Sequence, residues 1–206
     1  MLFEKSIAKQ LAHPSGFVSG IMAVTMNRSY ADLNRETVGL LDIKPGDRIL
    51  EIGFGGGVAV GLMAAKIDKG LVAGIDISDA MVQRGQARFS KFVTKGTVEL
   101  KRADASQIPY DTGSFDKACS VMSVFFWPDP VACLKEVRRV LKTGGRMVLA
   151  VRPKEWMEKF PPARHGFALY NDDQLWTLFS QAGFSEIRTE QRDTRWKATF
   201  LIGTKK

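Results

Sequence analysis

Apolar residues fall into two rhythms along the chain. Between residues 48 and 151, short apolar runs read as strands: 48–52, 71–76, 98–104, 115–123 and 146–151. Helix-period stretches separate them. One covers about 56–67, with Val58, Leu62, Ala65 and Ile67 among its apolar positions. Ser78 can cap a second, about 79–92, that holds Met81, Val82 and Phe89. A third begins with Asp129 as cap and Pro130 at its first position, carries Val131, Leu134, Val137, Val140 and Leu141, and is expected to end at Gly144. This alternation implies parallel strands joined by right-handed crossovers. Gly57 and Gly61 lie four apart on the first helix, which predicts a bare face able to sit close to the sheet.

The flanks differ. Residues 171–184 (NDDQLWTLFSQAGF) read as a helix with acids in its first turn and a stop at Gly183. Two strand-like runs follow, about 185–192 and 196–204, close enough to pair antiparallel. At the other end, LFEKSIAKQLA predicts a short amphipathic helix stopped by Pro14. Residues 16–30 are apolar, glycine-broken and methionine-rich, and residues 31–42 predict a helix holding Leu33, Val38, Leu40 and Leu41.

Chemistry enters where the first strand turns. Residues 49–57 read ILEIGFGGG, and 74–77 read GIDI. An apolar strand, a glycine-rich turn, a helix and a second strand ending on Asp76 place a nucleoside at the first βα turn, with the acid near its ribose. The spacing is not that of a dinucleotide turn: in G-x-G-x-x-G counted from Gly53 the third glycine would fall on Val58, and from Gly55 on Val60. Glu51, just before the turn, would repel a pyrophosphate. It suits a ligand with a positive end, such as the sulfonium and amino group of S-adenosylmethionine (SAM).

The chain resembles the class I SAM-dependent methyltransferases, of the small single-domain type acting on metabolites. The resemblance covers roughly residues 35–206 and rests on ILEIGFGGG (49–57), GIDIS (74–78), RADASQIPYDTGSFD (102–116) and LKEVRRVLKTGGRMVL (134–149). It implies an α/β fold, a doubly wound Rossmann-like sheet of seven strands, mostly parallel, with one antiparallel strand near the C-terminal edge. SAM would be the methyl donor and S-adenosylhomocysteine the product. The implied cofactor residues are Glu51, Gly53, Phe54, Gly55, Asp76, Ile77, Met81, Asp104, Ala105 and Ser120. Asp76 would take the ribose diol, Ile77 and Met81 would sandwich the adenine, and Asp104 and the Ala105 amide would meet its edge. Ser120 and Val121 would approach the methionine end. Phe125, Phe126 and Trp127 would wall an apolar acceptor pocket. Residues 1–34 would form a helical lid or substrate segment, or simply pack on the core, with residues 35–206 as the SAM-binding domain.

The reaction is an in-line displacement, so positioning supplies much of the rate. No catalytic group stands out; His165 and Tyr30 are candidates for a general base, with Tyr110 and His13 behind them. The 206 residues suit one domain with a sizeable core. No apolar run is long enough to span a membrane, and the first residues lack the pattern of a signal peptide. Cys119, in a strand, and Cys133, in a helix, are expected to be buried, reduced thiols in a cytoplasmic protein, and no metal pattern joins them to the two histidines. The formal charge of +8 comes from scattered Lys and Arg, which speaks against a nucleic-acid partner. The expectation is a small-molecule acceptor, no membrane, and a monomer or homodimer. Two other readings stay open: an RNA methyltransferase, drawing on that charge, and a non-catalytic SAM-binding subunit.

Overall fold

A computed structural model describes residues 2–16, 18–193 and 195–206. Its centre is a seven-stranded sheet in the order β3-β2-β1-β4-β5-β7-β6. The strands are β1 (Arg48–Ile52), β2 (Leu71–Asp76), β3 (Val98–Arg102), β4 (Phe115–Val121), β5 (Leu141–Val151), β6 (Ser185–Asp193) and β7 (Lys197–Thr204). The first five pair in parallel, and β7 runs antiparallel to both β5 and β6. The strands of the inner sheet are buried on both faces, which explains their near-continuous apolar runs.

The helices are α1 (Leu2–Ala12), α2 (Val18–Ser29), α3 (Ala31–Leu40), α4 (Val58–Ala64), α5 (Asp79–Arg88), α6 (Ser90–Thr94), α7 (Pro130–Val140), α8 (Lys154–Met157) and α9 (Asp172–Gln181). Helix α3 packs with α4, and α7 with α9. The expected caps are present. The Ser78 side chain accepts from the Met81 amide, and Asp129 accepts from that of Ala132. Asn171 and Gln174 form a reciprocal capping box at α9.

Three local expectations fail, each for a packing reason. The helix expected over 79–92 is broken at Phe89, whose backbone leaves the helical region between α5 and α6. Its ring fills the notch at Gly57 and Gly61, where an added Cβ would lie 2.7 and 3.3 Å from it. The bare glycine face therefore receives α5's last turn rather than the sheet. The helix expected to reach Gly144 stops at Val140, because Leu141 already pairs with Phe115 in the sheet. Gly144 instead adopts a positive φ of 79° within the β5 entry.

The N-terminal helices wrap the end of the sheet where β1 to β4 finish. Helix α1 packs on α2 and on the turn at Pro161–Arg164, while α2 reaches α3 and α5. Helix α3 is continuous over residues 31–40, so the 34/35 division falls inside one helix. Arg152, just past β5, is fully buried, and its Nη2 donates to both carboxylate oxygens of Asp32 of α3, at 2.9 and 3.0 Å. That pair ties the start of α3 to the sheet.

Candidate cofactor and acceptor site

Neighbouring β1 and β4 carry the chain outward in opposite directions across the sheet, and the crevice at such a switch point opens at the strands' carboxyl ends. A cavity of about 300 Å³ lies there. Every strand from β1 to β4 contributes the residues at or just past its end. These include Ile52 and Gly53, Asp76 and Ile77, Asp104 and Ala105, and Met122 and Ser123.

The glycine turn is built for close approach. Gly53, Gly55 and Gly57 all have positive φ, which side-chain-bearing residues avoid. A Cβ on Gly53 would sit 2.6 Å from that of Ser123. The Gly53 amide continues the sheet by donating to the Ile75 carbonyl at 2.8 Å. Asp76 is 8% exposed, and each of its oxygens accepts one backbone amide at 2.9 Å, from Gly55 and from Ser78. Burial raises its pKa, while those two amides and the charge of His13 oppose the rise. Each oxygen keeps a lone pair for a further donor. Asp104 also does two jobs. Its Oδ1 accepts from the amide and hydroxyl of Ser106 at 2.8 and 2.7 Å, so it holds a turn while lining the cavity.

The rest of the lining is mostly apolar. It includes Val121, Met122, Phe126, Trp127 and Pro128, joined by Leu11, Ala12 and Pro14 at the end of α1 and by Met26 of α2. Ser78 donates its hydroxyl to the Pro14 carbonyl, which pins α1 beside Asp76.

A methyltransferase domain model matches residues 50–149. An uncharacterised methyltransferase of Bacillus subtilis (strain 168) is 28% identical over 92% of this chain and 98% of its own length. A 27-O-demethylrifamycin SV methyltransferase of Amycolatopsis mediterranei (strain S699) is 34% identical over 62% of this chain, and the match spans 46% of that protein. A solved SAM-dependent methyltransferase from Aquifex aeolicus superposes with a TM-score of 0.76, covering 93% of this chain and all of that one at 20% identity, a likeness of fold. Residues 50–149 thus match a methyltransferase domain, and the fold around them is that of the class I SAM-dependent methyltransferases.

SAM is the cofactor that this fold implies, and the residues present fit it. The positive-φ glycines leave a cradle that side chains would fill, and a buried carboxylate with free lone pairs stands at the end of β2. Nine of the cofactor and pocket residues expected from sequence line the cavity: Gly53, Gly55, Asp76, Ile77, Asp104, Ala105, Val121, Phe126 and Trp127.

The others lie behind it. Met81, on α5, is fully buried and does not line the cavity, whereas Ile77 does. The Phe54 ring fills the space over Gly74 and Gly85, where added Cβ atoms would be 2.9 and 3.1 Å away. Ser120 is buried and shares a hydrogen bond with Ser123, which takes its place on the cavity surface. Phe125 is buried, stacked near Phe167 with ring centroids 6.3 Å apart. Glu51 is 2% exposed, and the Val60 amide in the first turn of α4 faces its carboxylate. Gly57, the N-cap of α4, offers no side chain, so Glu51 serves that helix end from the strand below.

The base candidates separate as well. His165 lies behind α1, its Nε2 3.3 Å from a Glu4 oxygen. Tyr110 hydrogen-bonds Glu99 at 2.9 Å. Tyr30 packs against the core beside Arg152, and burial raises its pKa. None of the three lines the cavity, whereas His13 does. Sequence reasoning missed Met122 and Ser123. Their signal was positional: they directly follow a strand that neighbours β1. Met122 carries a positive φ of 59°, an unusual conformation for a residue with a side chain.

Proposed function

We propose that this methyltransferase transfers the methyl group of SAM to a small, partly apolar or aromatic metabolite by in-line displacement (EC 2.1.1.-). The observation that carries the reading is the division of the cavity. Backbone amides, glycines and two carboxylates occupy one side, and Met26, Val121, Met122, Phe126 and Trp127 the other. An apolar, aromatic wall beside a few placed polar groups suits a small organic acceptor. The rifamycin methyltransferase among the relatives, named for a small organic substrate, supports the same class.

The bound sulfonium supplies an electrophilic methyl group. The chain's own residues bind and orient. Asp76 accepts the ribose hydroxyls on its remaining lone pairs, a charge-assisted contact worth about 1.5–3 kcal/mol. Ile77 covers one adenine face, and Asp104 with the Ala105 amide meets its edge. Phe126 and Trp127 hold the acceptor and exclude water, and α1 with α2 forms the lid that completes the pocket. Orientation of the two reactants then lowers the barrier.

The test is transfer of radiolabelled methyl from SAM into small-molecule, RNA and protein pools, with Asp76→Ala as control. Label confined to the small-molecule pool is expected. Label in RNA would overturn the acceptor class. Tight SAM binding with no transfer into any pool would point to a binding subunit.

A further inference from the structure

Glu51 and Asp76 are two buried carboxylates on adjacent strands, 2% and 8% exposed. Their surroundings differ in one respect. Both Asp76 oxygens accept a backbone amide, whereas Glu51 Oε2 has no hydrogen-bond partner. The groups acting on Glu51 come from three elements: Asp76 from β2, the Val60 amide from α4, and the thiol of Cys119 from β4, on which Glu51 acts in turn. None is a cation. The electrostatic influence of His13 falls on Asp76 instead.

An isolated carboxylate in such a place keeps its proton. Burial, reinforced by the charge of Asp76 and opposed by the Val60 amide, pushes the Glu51 pKa up to about 8. Yet Glu51 stands one and two residues before Ile52 and Gly53, which line the cavity. A cation entering there meets low-dielectric surroundings in which its field reaches the carboxyl with little screening.

We propose that Glu51 is a charge-sensing specificity residue, which loses its proton when the cationic cofactor binds and thereby favours the sulfonium over its uncharged thioether product. The step breaks the Glu51 O–H bond and delivers the proton to solvent. The positive charge of the ligand is balanced by the new carboxylate. Glu51 touches neither reactant in this account and acts through the field and through the end of α4. The inference rests on SAM as the cofactor and deepens that reading.

The test is calorimetric titration of the full chain with SAM, and separately with S-adenosylhomocysteine, in buffers of differing ionisation enthalpy near neutral pH. The expected result is net proton release on SAM binding, a smaller release with the thioether, and SAM affinity that rises with pH until about 8 and then levels. Each pKa unit that the ligand moves Glu51 is worth about tenfold in affinity. Glu51→Gln is neutral, similar in shape and still able to accept from the Val60 amide. It should abolish the release, flatten the pH dependence and narrow the preference for SAM over the thioether. SAM binding without buffer-dependent heat, or equal release from the variant, would overturn the proposal and leave the cofactor intact. Failure of the wild-type chain to bind SAM would overturn both.

Discussion

The two walls of the cavity are made by different physics. The sheet-side wall consists of strand ends and the glycine turn. Its positions are set by ladder hydrogen bonds, positive-φ backbone and full burial, so that Gly53, Gly55 and Asp76 have little freedom to move. The N-terminal wall is two helices laid against that frame. It is held by a few separate contacts: Ser78 to the Pro14 carbonyl, Glu4 to His165, and the close seating of Asn27 on Gly56 and of Gly20 on the Arg84 guanidinium. Phe3, Ile21 and Val24 on these helices remain exposed. A wall fixed by the core suits a ligand common to a whole family. A wall fixed by few contacts suits a lid and a variable acceptor.

This contrast can be broken from the rigid side. Gly53→Ala should have the largest effect, because it combines a φ of 72° with a Cβ 2.6 Å from that of Ser123. Strain and overpacking together should cost roughly 2–4 kcal/mol, measured by urea unfolding, together with loss of SAM binding. A variant of wild-type stability and affinity would show that the turn adjusts and is not rigid.

The same wall should carry a pH signature. The Glu51 pKa is raised on folding, so its contribution is fully present below the unfolded value of 4.5 and is lost as pH rises through about 8. The ligand-free protein should therefore lose on the order of a few kcal/mol between mildly acidic and mildly alkaline pH. Asp76, also raised by burial, adds in the same direction. Glu51→Gln should flatten much of that slope in denaturation curves. A slope unchanged in the variant would assign it to other groups.

Asp76→Ala leaves the fold's core untouched but removes the proposed ribose acceptor, which also accepts the Gly55 and Ser78 amides. SAM affinity should fall by roughly tenfold or more, and unchanged affinity in calorimetry would mean that the ribose lies elsewhere. On the softer wall the effects should shrink. Ser78→Ala loses the bond to Pro14 and the cap of α5, for about 1 kcal/mol. Glu4→Gln weakens the contact with His165 and the attraction of Arg164. It should leave global stability unchanged while speeding amide exchange in α1 and not in β1 or β2. Equal protection in both regions would show that the walls open together.

Much of this frame was legible because its causes are local. The apolar runs at 48–52 and 71–76 match β1 and β2 at both ends. Ser78 and Asp129 cap the helices that their spacing implied. Asp76 and the glycine turn could be placed at one end of the sheet because strand, turn, helix and strand follow one another within about thirty residues. The direction of side chains was less legible. Met81 and Phe54 carry the right numbers for a binding loop but point into the core, where their apolar surface leaves water, and Ser120 turns its hydroxyl onto that of Ser123.

The sequence by itself therefore determined the parallel sheet, its crossovers, the glycine turn and the acid that faces it, all of which follow from short-range pattern and backbone permission. Only the tertiary structure decided which residues close the cavity. Leu11 to Pro14, Met26 and Ser123 meet there from three separate stretches of chain. It also decided that Phe89 fills the glycine notch and that Glu51 faces α4. Such choices depend on which surfaces pack against one another across the fold, and no spacing along the chain encodes them.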